Sequence, residues 1–269
     1  MQWNELHAYA AERGVNIIGD IPMYVSADSA DVWANRDEFG VDKKGRVTDE
    51  AGVPPDNLCE DGQRWGNPTF KWEKMRANDY AWWTARLARM FELYDFTRLD
   101  HFLGFCNYYV VPQGKTPKEG FWRQGPGVDF FEHVGCELGL SELPLIGENL
   151  GTITPAVRAM VARTGFPGMD VIQFYDGEPR EEYDPAPGCI VYMGTHDTQT
   201  LVGWCESRYG LDRASAVEQA GTFIERTLQE QKGVVMLQLQ DALLLGDEAR
   251  MNTPGTIEGN WTWQAAKSE

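Results

Sequence analysis

The sequence predicts an α/β fold, a TIM-type (β/α)8 barrel of which about six of the eight strands are present. Short apolar runs alternate with helical patterns along the chain, which is typical of parallel β-α-β units. Several of these runs end in charged residues, as the strands of barrel enzymes do. Because no linker or internal repeat interrupts the pattern, residues 1–269 are expected to form one partial barrel domain.

The first part of the chain carries two of the predicted strands. A helix is expected over 3–13, where apolar residues recur at helical intervals. The apolar run 15–25 follows as a buried strand that carries Asp20. The pattern then predicts a helix over 81–93 and, after it, a strand over 96–105.

The same alternation continues to the end of the chain. Thr154 and Pro155 are a typical N-cap and first residue of a helix. Only the strands that begin near 169 and 190 lack an evident helix between them. Helices are predicted at 130–138, 155–164 and 213–231, and strands at 143–147, 169–174, 190–194 and 234–239.

One stretch breaks the alternation. Residues 42–69 are rich in Gly, Pro, Asp and Asn and show no sustained period, which predicts a long ordered loop. Long loops in compact domains are usually functional. We therefore expect residues 42–69 to form an active-site loop.

Composition excludes several classes of partner. The chain has 41 acidic against 24 basic residues, a net charge of -17, which disfavours nucleic acid and anionic membranes. Neither a run of ~20 apolar residues nor a signal-peptide pattern is present, so a cytoplasmic location is expected. The cysteines are odd in number and form no C-x-x-C pair, which predicts free thiols at Cys59, Cys106, Cys136, Cys189 and Cys205.

Asp100 is the first candidate catalytic residue. It follows Arg98 by two positions on a predicted strand, so both side chains should project to the same side. A neighbouring guanidinium favours the ionised carboxylate that a nucleophile requires. The alternative is an Arg-Asp ion pair with a purely structural role.

Glu148 ends the next predicted strand and is the second candidate. Gly147 and Gly151 flank it and would allow substrate and backbone to approach closely. A partly apolar setting would raise the pKa of the glutamate and suit it to protonate a leaving oxygen. The alternative is an acidic residue at a helix N-terminus, but Thr154-Pro155 fits the helix start better.

His196 and Asp197 follow the strand predicted at 190–194. A third carboxylate with a histidine could hold two sugar hydroxyls and favour an oxocarbenium-like transition state. By itself, however, a His-Asp dipeptide more often indicates a surface or structural pair. A Ser-His-Asp triad is not supported, because no G-x-S-x-G elbow is present.

Seven segments, in this order, carry a resemblance that extends over nearly the whole chain. The chain resembles members of the 4-alpha-glucanotransferase family, also called amylomaltases or disproportionating enzymes, which is a branch of the α-amylase superfamily. The segments are GDIPMYV with DSADVW between 19 and 33, GVPPD (52–56), GQRWGNP (62–68), RLDHF (98–102), GENLG (147–151), GTHD (194–197) and EARMNTPG (248–255).

The resemblance implies roles for individual residues. Asp100 would be the nucleophile, Glu148 the general acid/base and Asp197 the stabiliser of the transition state. Glucan contacts are implied for Arg98, His196, Asp20, Gln63, Trp65 and Asn252. The implied reaction is retaining transfer between α-1,4-glucan or maltooligosaccharide donors and acceptors, with no metal or organic cofactor.

Members of the family are longer than this chain, so a preceding segment is expected to supply the two missing strands. Two alternatives to transfer remain open. The chain could hydrolyse α-glucans. It could also only bind glucan, or be an inactive fragment with exposed strand edges.

Overall fold

The computed structural model describes residues 2–55, 60–174, 188–230, 233–256 and 258–266. Asp56 of the GVPPD segment, Cys59 and Gln231 lie outside these ranges. The chain divides into two compact units, Met1–Phe166 and Pro167–Glu269, called unit 1 and unit 2 below. Among the described residues, no helix combines the length and the apolar character that crossing a membrane would require.

The secondary structure of unit 1 mixes helices with parallel and antiparallel strands. The helices are α1 (Gln2–Ala11), α2 (Ala30–Ala34), α3 (Trp72–Ala77), α4 (Ala81–Leu93), α5 (Val128–Leu138) and α6 (Pro155–Thr164). The strands are β1 (Ile18–Ile21), β2 (Asp49–Val53), β3 (Gln63–Pro68), β4 (Phe96–Leu99), β5 (Asn107–Pro112), β6 (Phe121–Gln124) and β7 (Leu145–Gly147).

Three of these strands form a parallel sheet in the order β1-β4-β7. Its register places Asp20 opposite Arg98, and Leu99 opposite Gly147. Pro22 follows β1 directly, and because proline has no backbone N–H it cannot continue the ladder. The carboxyl ends of the three strands therefore lie side by side, and the candidate residues follow or occupy those ends.

An aromatic core supports this sheet. Trp83 of α4, Phe105 and Phe130 of α5 are fully buried. Ring centroids lie 5.3 Å apart for Trp83 and Phe105, and 5.0 Å apart for Phe105 and Phe130. Burial of one such ring contributes ~1.5–3 kcal/mol. The cluster holds α4 and α5 against the turn after β4 and so fixes the end of the strand that carries Arg98.

A second sheet of unit 1 is antiparallel, in the order β3-β2-β5-β6. Its strands β2 and β3 lie within 42–69, so the sequence-based prediction of a loop is wrong for these two stretches. Neither strand shows a regular alternation of apolar and polar residues. Strand β2 is stabilised by pairing with β5, whose residues 108–111 are buried, and β3 is stabilised by pairing with β2. Pairing with a later segment cannot be read from local periodicity.

Unit 2 has a parallel sheet in the order β10-β9-β8 and a helical layer. The strands are β8 (Met169–Val171), β9 (Ile190–Tyr192) and β10 (Val235–Met236), and the helices are α7 (Leu201–Tyr209), α8 (Arg213–Glu230) and α9 (Leu239–Ala242). Its core joins buried residues of β9, such as Val191, with Leu201 and Cys205 of α7 and Ala216 and Ala220 of α8.

The mixed α/β class and the six parallel strands agree with the sequence-based prediction, although each strand is shorter than expected. Helices α4 and α6 have the predicted bounds, and the Thr154 hydroxyl accepts a hydrogen bond from the Val157 N–H at 3.3 Å. Helix α7 was not predicted. It begins after Thr200, whose side chain accepts from the Gly203 N–H, and ends at Gly210 with φ +64°.

Candidate active site

Arg98 joins two aspartates at the carboxyl end of the parallel sheet in unit 1. Its Nη1 lies 2.9 Å and 3.1 Å from the two carboxylate oxygens of Asp20, and its Nη2 lies 3.0 Å from Oδ1 of Asp100. The Arg98 side chain is 13% exposed, whereas the side chains of Asp20 and Asp100 are 51% and 41% exposed, so solvent screens part of the attraction. Burial alone would lower the pKa of Arg98, but the charges of Asp20 and Asp100 outweigh it and raise that pKa.

The predicted same-side placement of Arg98 and Asp100 is therefore confirmed. A guanidinium group suits this position because its planar N–H groups can donate hydrogen bonds to two carboxylates in fixed directions. A planar cation held by Asp20 on one side keeps a positive charge next to Asp100.

Glu148 follows β7 and is buried, with 8% of its surface exposed. Its Oε2 accepts a hydrogen bond from the His101 N–H and its Oε1 accepts one from the Leu150 N–H, both at 2.8 Å. Burial raises the pKa of Glu148 to about 7, and the charge of Asp100 acts in the same direction. Arg98 and the two backbone N–H groups oppose the shift without cancelling it. The expected rise in the pKa of Glu148 is therefore confirmed.

The sheet register brings Asp100 and Glu148 near one another. Leu99 pairs with Gly147, and each acidic residue is the next one along its strand. The Glu148 N–H still donates to the Leu99 carbonyl at 3.1 Å, so the strands have not diverged at this point. Adjacent strands lie ~4.8 Å apart. The two carboxyl groups thus belong to one site, one close to Arg98 and the other largely desolvated.

His101, which the sequence-based analysis left without a role, connects this site to Trp65. Its ring packs edge-on against the Trp65 ring at 5.0 Å and lies 6.2 Å from the ring of Tyr24. Its Nε2 is buried and has no hydrogen-bond partner among the described residues. Burial lowers the pKa of His101 to about 4, so the ring is neutral at physiological pH.

The backbone of His101 is also unusual. Its φ of +49° is in the left-handed region, which few residues other than glycine adopt, although histidine does so more often than most. This turn points the His101 N–H at Glu148. Its position directly after Asp100 in the sequence was the signal that could have indicated a role.

Trp65 and Gln63 lie on β3 and form a second pair. The indole Nε1 of Trp65 donates to Oε1 of Gln63 at 3.2 Å. Trp65 is partly exposed and also lies 6.0 Å from the ring of Tyr24. Through His101, therefore, the structure brings both residues to the neighbourhood of Glu148.

The remaining candidates lie in unit 2. His196 Nε2 lies 3.4 Å from Oδ2 of Asp197, and the Asp197 side chain is 47% exposed. Asn252 donates from Nδ2 to Oδ1 of Asp197 at 2.6 Å, and its backbone N–H donates to the His196 carbonyl at 3.0 Å. Arg250 donates from Nη2 to the Asp197 carbonyl at 2.9 Å.

Three predicted residues, His196, Asp197 and Asn252, thus form one hydrogen-bonded group. An open cavity of about 590 Å³, lined by Arg250, Asn252 and Trp263 among others, adjoins this group. Cavities of this size accommodate ligands of a few rings.

The group in unit 1 has the elements of general acid/base and nucleophilic chemistry. A carboxyl with a pKa near 7 can give and take a proton at physiological pH. A carboxylate beside a guanidinium can act as a nucleophile. Two carboxyl groups of different character on adjacent strand ends are the arrangement that glycoside chemistry uses.

A model of the 4-alpha-glucanotransferase family matches residues 1–268. The chain is 42% identical to the 4-alpha-glucanotransferase of Synechocystis sp. over 279 residues, which cover 98% of this chain and 55% of the relative. It is 40% identical to that of Streptococcus pneumoniae over 283 residues, 100% of this chain and 56% of the relative.

A solved structure agrees with these relatives. The amylomaltase from Streptococcus agalactiae in complex with acarbose aligns with a TM-score of 0.89 and 35% identity, covering 99% of this chain and 56% of that one. The chain therefore spans about half the length of the curated relatives it matches.

Proposed function

The chain belongs to the 4-alpha-glucanotransferase family, and from this membership we propose that it transfers α-1,4-glucan segments between maltooligosaccharides. The proposed mechanism is a double displacement that retains the anomeric configuration. The pair of carboxyl groups at Asp100 and Glu148 is the observation that carries this proposal, because their surroundings differ in the way that the two roles require.

In the first step, Asp100 attacks the anomeric carbon of the donor glucan and a covalent glycosyl-enzyme forms. Glu148, whose pKa burial raises to about 7 so that a large fraction is protonated at neutral pH, gives its proton to the departing 4-oxygen. Arg98 keeps a positive charge beside Asp100 while that residue remains an anion. Retaining enzymes place the two carboxyl groups ~5–5.5 Å apart, which adjacent strand ends can supply.

In the second step, the 4-hydroxyl of another glucan attacks the anomeric carbon, and Glu148 takes its proton as a base. The bond to Asp100 breaks and the carboxylate returns to its ionised form. A new α-1,4 bond results, and Glu148 is protonated again for the next cycle.

We assign substrate contacts to the other candidates. Asp197, held by Asn252 and beside His196, would accept hydrogen bonds from sugar hydroxyls and stabilise positive charge on the ring in the transition state. Asp20, Gln63 and Trp65 would contact the glucan together with Arg98. The proposed scaffold is the (β/α)8 barrel, of which this chain supplies six strands, and no metal or organic cofactor takes part.

Incubation of the chain with maltotriose tests this proposal. Transfer predicts glucose together with maltooligosaccharides longer than the substrate, and ¹H NMR should show only α-anomeric bonds in the first products. Release of reducing ends without longer products would contradict transfer and favour hydrolysis. Glucan binding with no product, measured by calorimetry over the same concentrations, would favour a binding role for this chain.

A further inference from the structure

Trp261 combines three features that its packing in unit 2 does not require. Its φ is +58°, a conformation in which an L residue with a bulky side chain is strained. Its side chain is among the large apolar groups exposed to solvent, at 60%. Its ring lies over His196, with 5.3 Å between ring centroids and 37° between ring planes.

The backbone around Trp261 is tied to the functional group of unit 2. The Trp261 N–H donates to the Met251 carbonyl at 2.6 Å. The next residue, Asn252, bonds to both His196 and Asp197. The strained turn at Trp261 is therefore held by the same short segment that holds Asp197.

This placement costs stability in two ways, since the backbone is strained and an indole is left in water. Strain that persists beside a functional group points to a role there. The His196 ring and the Asp197 carboxylate could bind sugar hydroxyls, while the exposed indole offers a flat apolar face. The apolar C–H faces of a glucose ring pack well on such a surface.

We propose that Trp261 is a specificity-determining residue on which a glucosyl ring of the α-1,4-glucan stacks beside His196 and Asp197. The proposal rests on the function proposed above and deepens it, because it names a platform for one sugar unit. A neutral polyhydroxyl ligand suits the site, since the acidic net charge of the chain does not repel it.

Trp261→Gly is the sharpest variant, because glycine adopts a positive φ without strain. The ring is lost while the turn is kept, so the melting temperature should not fall. We expect the KM for maltotriose and the Kd for maltoheptaose, measured by calorimetry, to rise about tenfold. kcat should change by less than about threefold.

Two further variants serve as controls. Trp261→Phe keeps a flat ring and should restore most of the affinity, to within about threefold of the unaltered chain. Trp122→Ala removes an indole that is 55% exposed and packs on Tyr109 at 5.2 Å in the antiparallel sheet. It should leave KM and Kd unchanged.

The proposal is overturned if Trp261→Gly leaves both constants within about twofold, or if kcat alone falls, which would indicate a role in positioning His196. The Kd for maltoheptaose, measured by calorimetry, distinguishes a failure of this inference from a failure of the proposed function. If the unaltered chain makes no transfer products but binds maltoheptaose, and Trp261→Gly weakens binding tenfold, stacking on Trp261 is supported although the proposed transfer is contradicted. If the unaltered chain does not bind maltoheptaose, both are contradicted.

Discussion

The two units hold their acidic residues in opposite ways. In unit 1, Glu148 is 8% exposed and Asp100 is paired with Arg98 at strand ends. In unit 2, the Asp197 side chain is 47% exposed, and its carboxylate is held by Asn252, which lies outside any helix or strand. Burial and nearby charges therefore set the pKa of Glu148, whereas a hydrogen bond from Asn252 orients Asp197. Variants in unit 1 should therefore change chemistry and its pH dependence, whereas loss of the Asn252 side chain in unit 2, which leaves the Asp197 carboxylate in place, should mainly change binding.

Asp100→Asn should have the largest effect, because the amide cannot form the glycosyl-enzyme. We expect kcat for maltotriose disproportionation to fall by about 10⁴-fold or more. Product formation followed by chromatography measures this. A fall of less than about tenfold would show that Asp100 is not the nucleophile.

Glu148→Gln should come next, with a loss of about 10²–10⁴-fold in kcat, because the amide cannot transfer a proton. In the unaltered chain, kcat/KM should fall as the pH rises above about 7, where Glu148 loses its proton. Glu38→Gln, at a site that is 9% exposed, is the matched control and should keep normal activity. If Glu148→Gln retains measurable activity and its kcat/KM still falls above pH 7 as it does in the unaltered chain, Glu148 is not the general acid.

The Glu148 carboxyl also makes the free energy of unfolding depend on pH. The pKa of Glu148 in the folded chain, about 7, exceeds its ordinary value of 4.5, so the folded state retains a proton that the unfolded state releases. The stabilising contribution is fully present below pH 4.5 and is lost as the pH rises through 7. It amounts to about 3 kcal/mol over this window. Urea unfolding at pH 5 and pH 8 should show that Glu148→Gln loses less stability over this interval than the unaltered chain does.

Arg98→Lys should reduce kcat/KM by about 100-fold, because an ammonium cannot address Asp20 and Asp100 together as the guanidinium fork does. Arg123→Lys is a matched control, since Arg123 pairs with Asp49 at 2.9 Å in the antiparallel sheet. Equal losses in the two variants would show that the Arg98 ion pairs are only structural.

Asn252→Ala should have the smallest of these effects, about a tenfold rise in KM, because Asp197 loses a hydrogen bond but remains solvated. Asn35→Ala removes a hydrogen bond from the Asn35 side chain to the Asp31 carbonyl at 3.0 Å. It is the matched control and should leave KM unchanged. If Asn252→Ala instead abolished kcat, the bond from Asn252 to Asp197 would be essential for the chemistry and not mainly for binding.

Local sequence patterns predicted the parts of the molecule that local physics determines. The two-residue spacing of Arg98 and Asp100 on a strand was enough to place both side chains on one side. The apolar surroundings of Glu148 likewise indicated its raised pKa. Helix α6 was readable because Thr154 and Pro155 mark its start.

Other features depend on contacts between distant segments. Strands β2 and β3 show no periodic pattern of apolar residues, and they form because β2 pairs with β5 and β3 pairs with β2. The positive φ of His101 and of Trp261 is another feature that the neighbouring residues in the sequence do not indicate. A bulky residue such as tryptophan rarely adopts a positive φ, so the local sequence does not predict one at Trp261.

The most direct test is to trap the glycosyl-enzyme. Glu148→Gln treated with α-maltosyl fluoride should accumulate an adduct, because fluoride leaves without acid assistance while the deprotonation of an acceptor is blocked. Mass spectrometry of the digested protein should then place one maltosyl unit on the peptide that contains Asp100. Release of fluoride with the label on Asp197, or with no label on Asp100, would contradict the assignment of the two carboxyl groups.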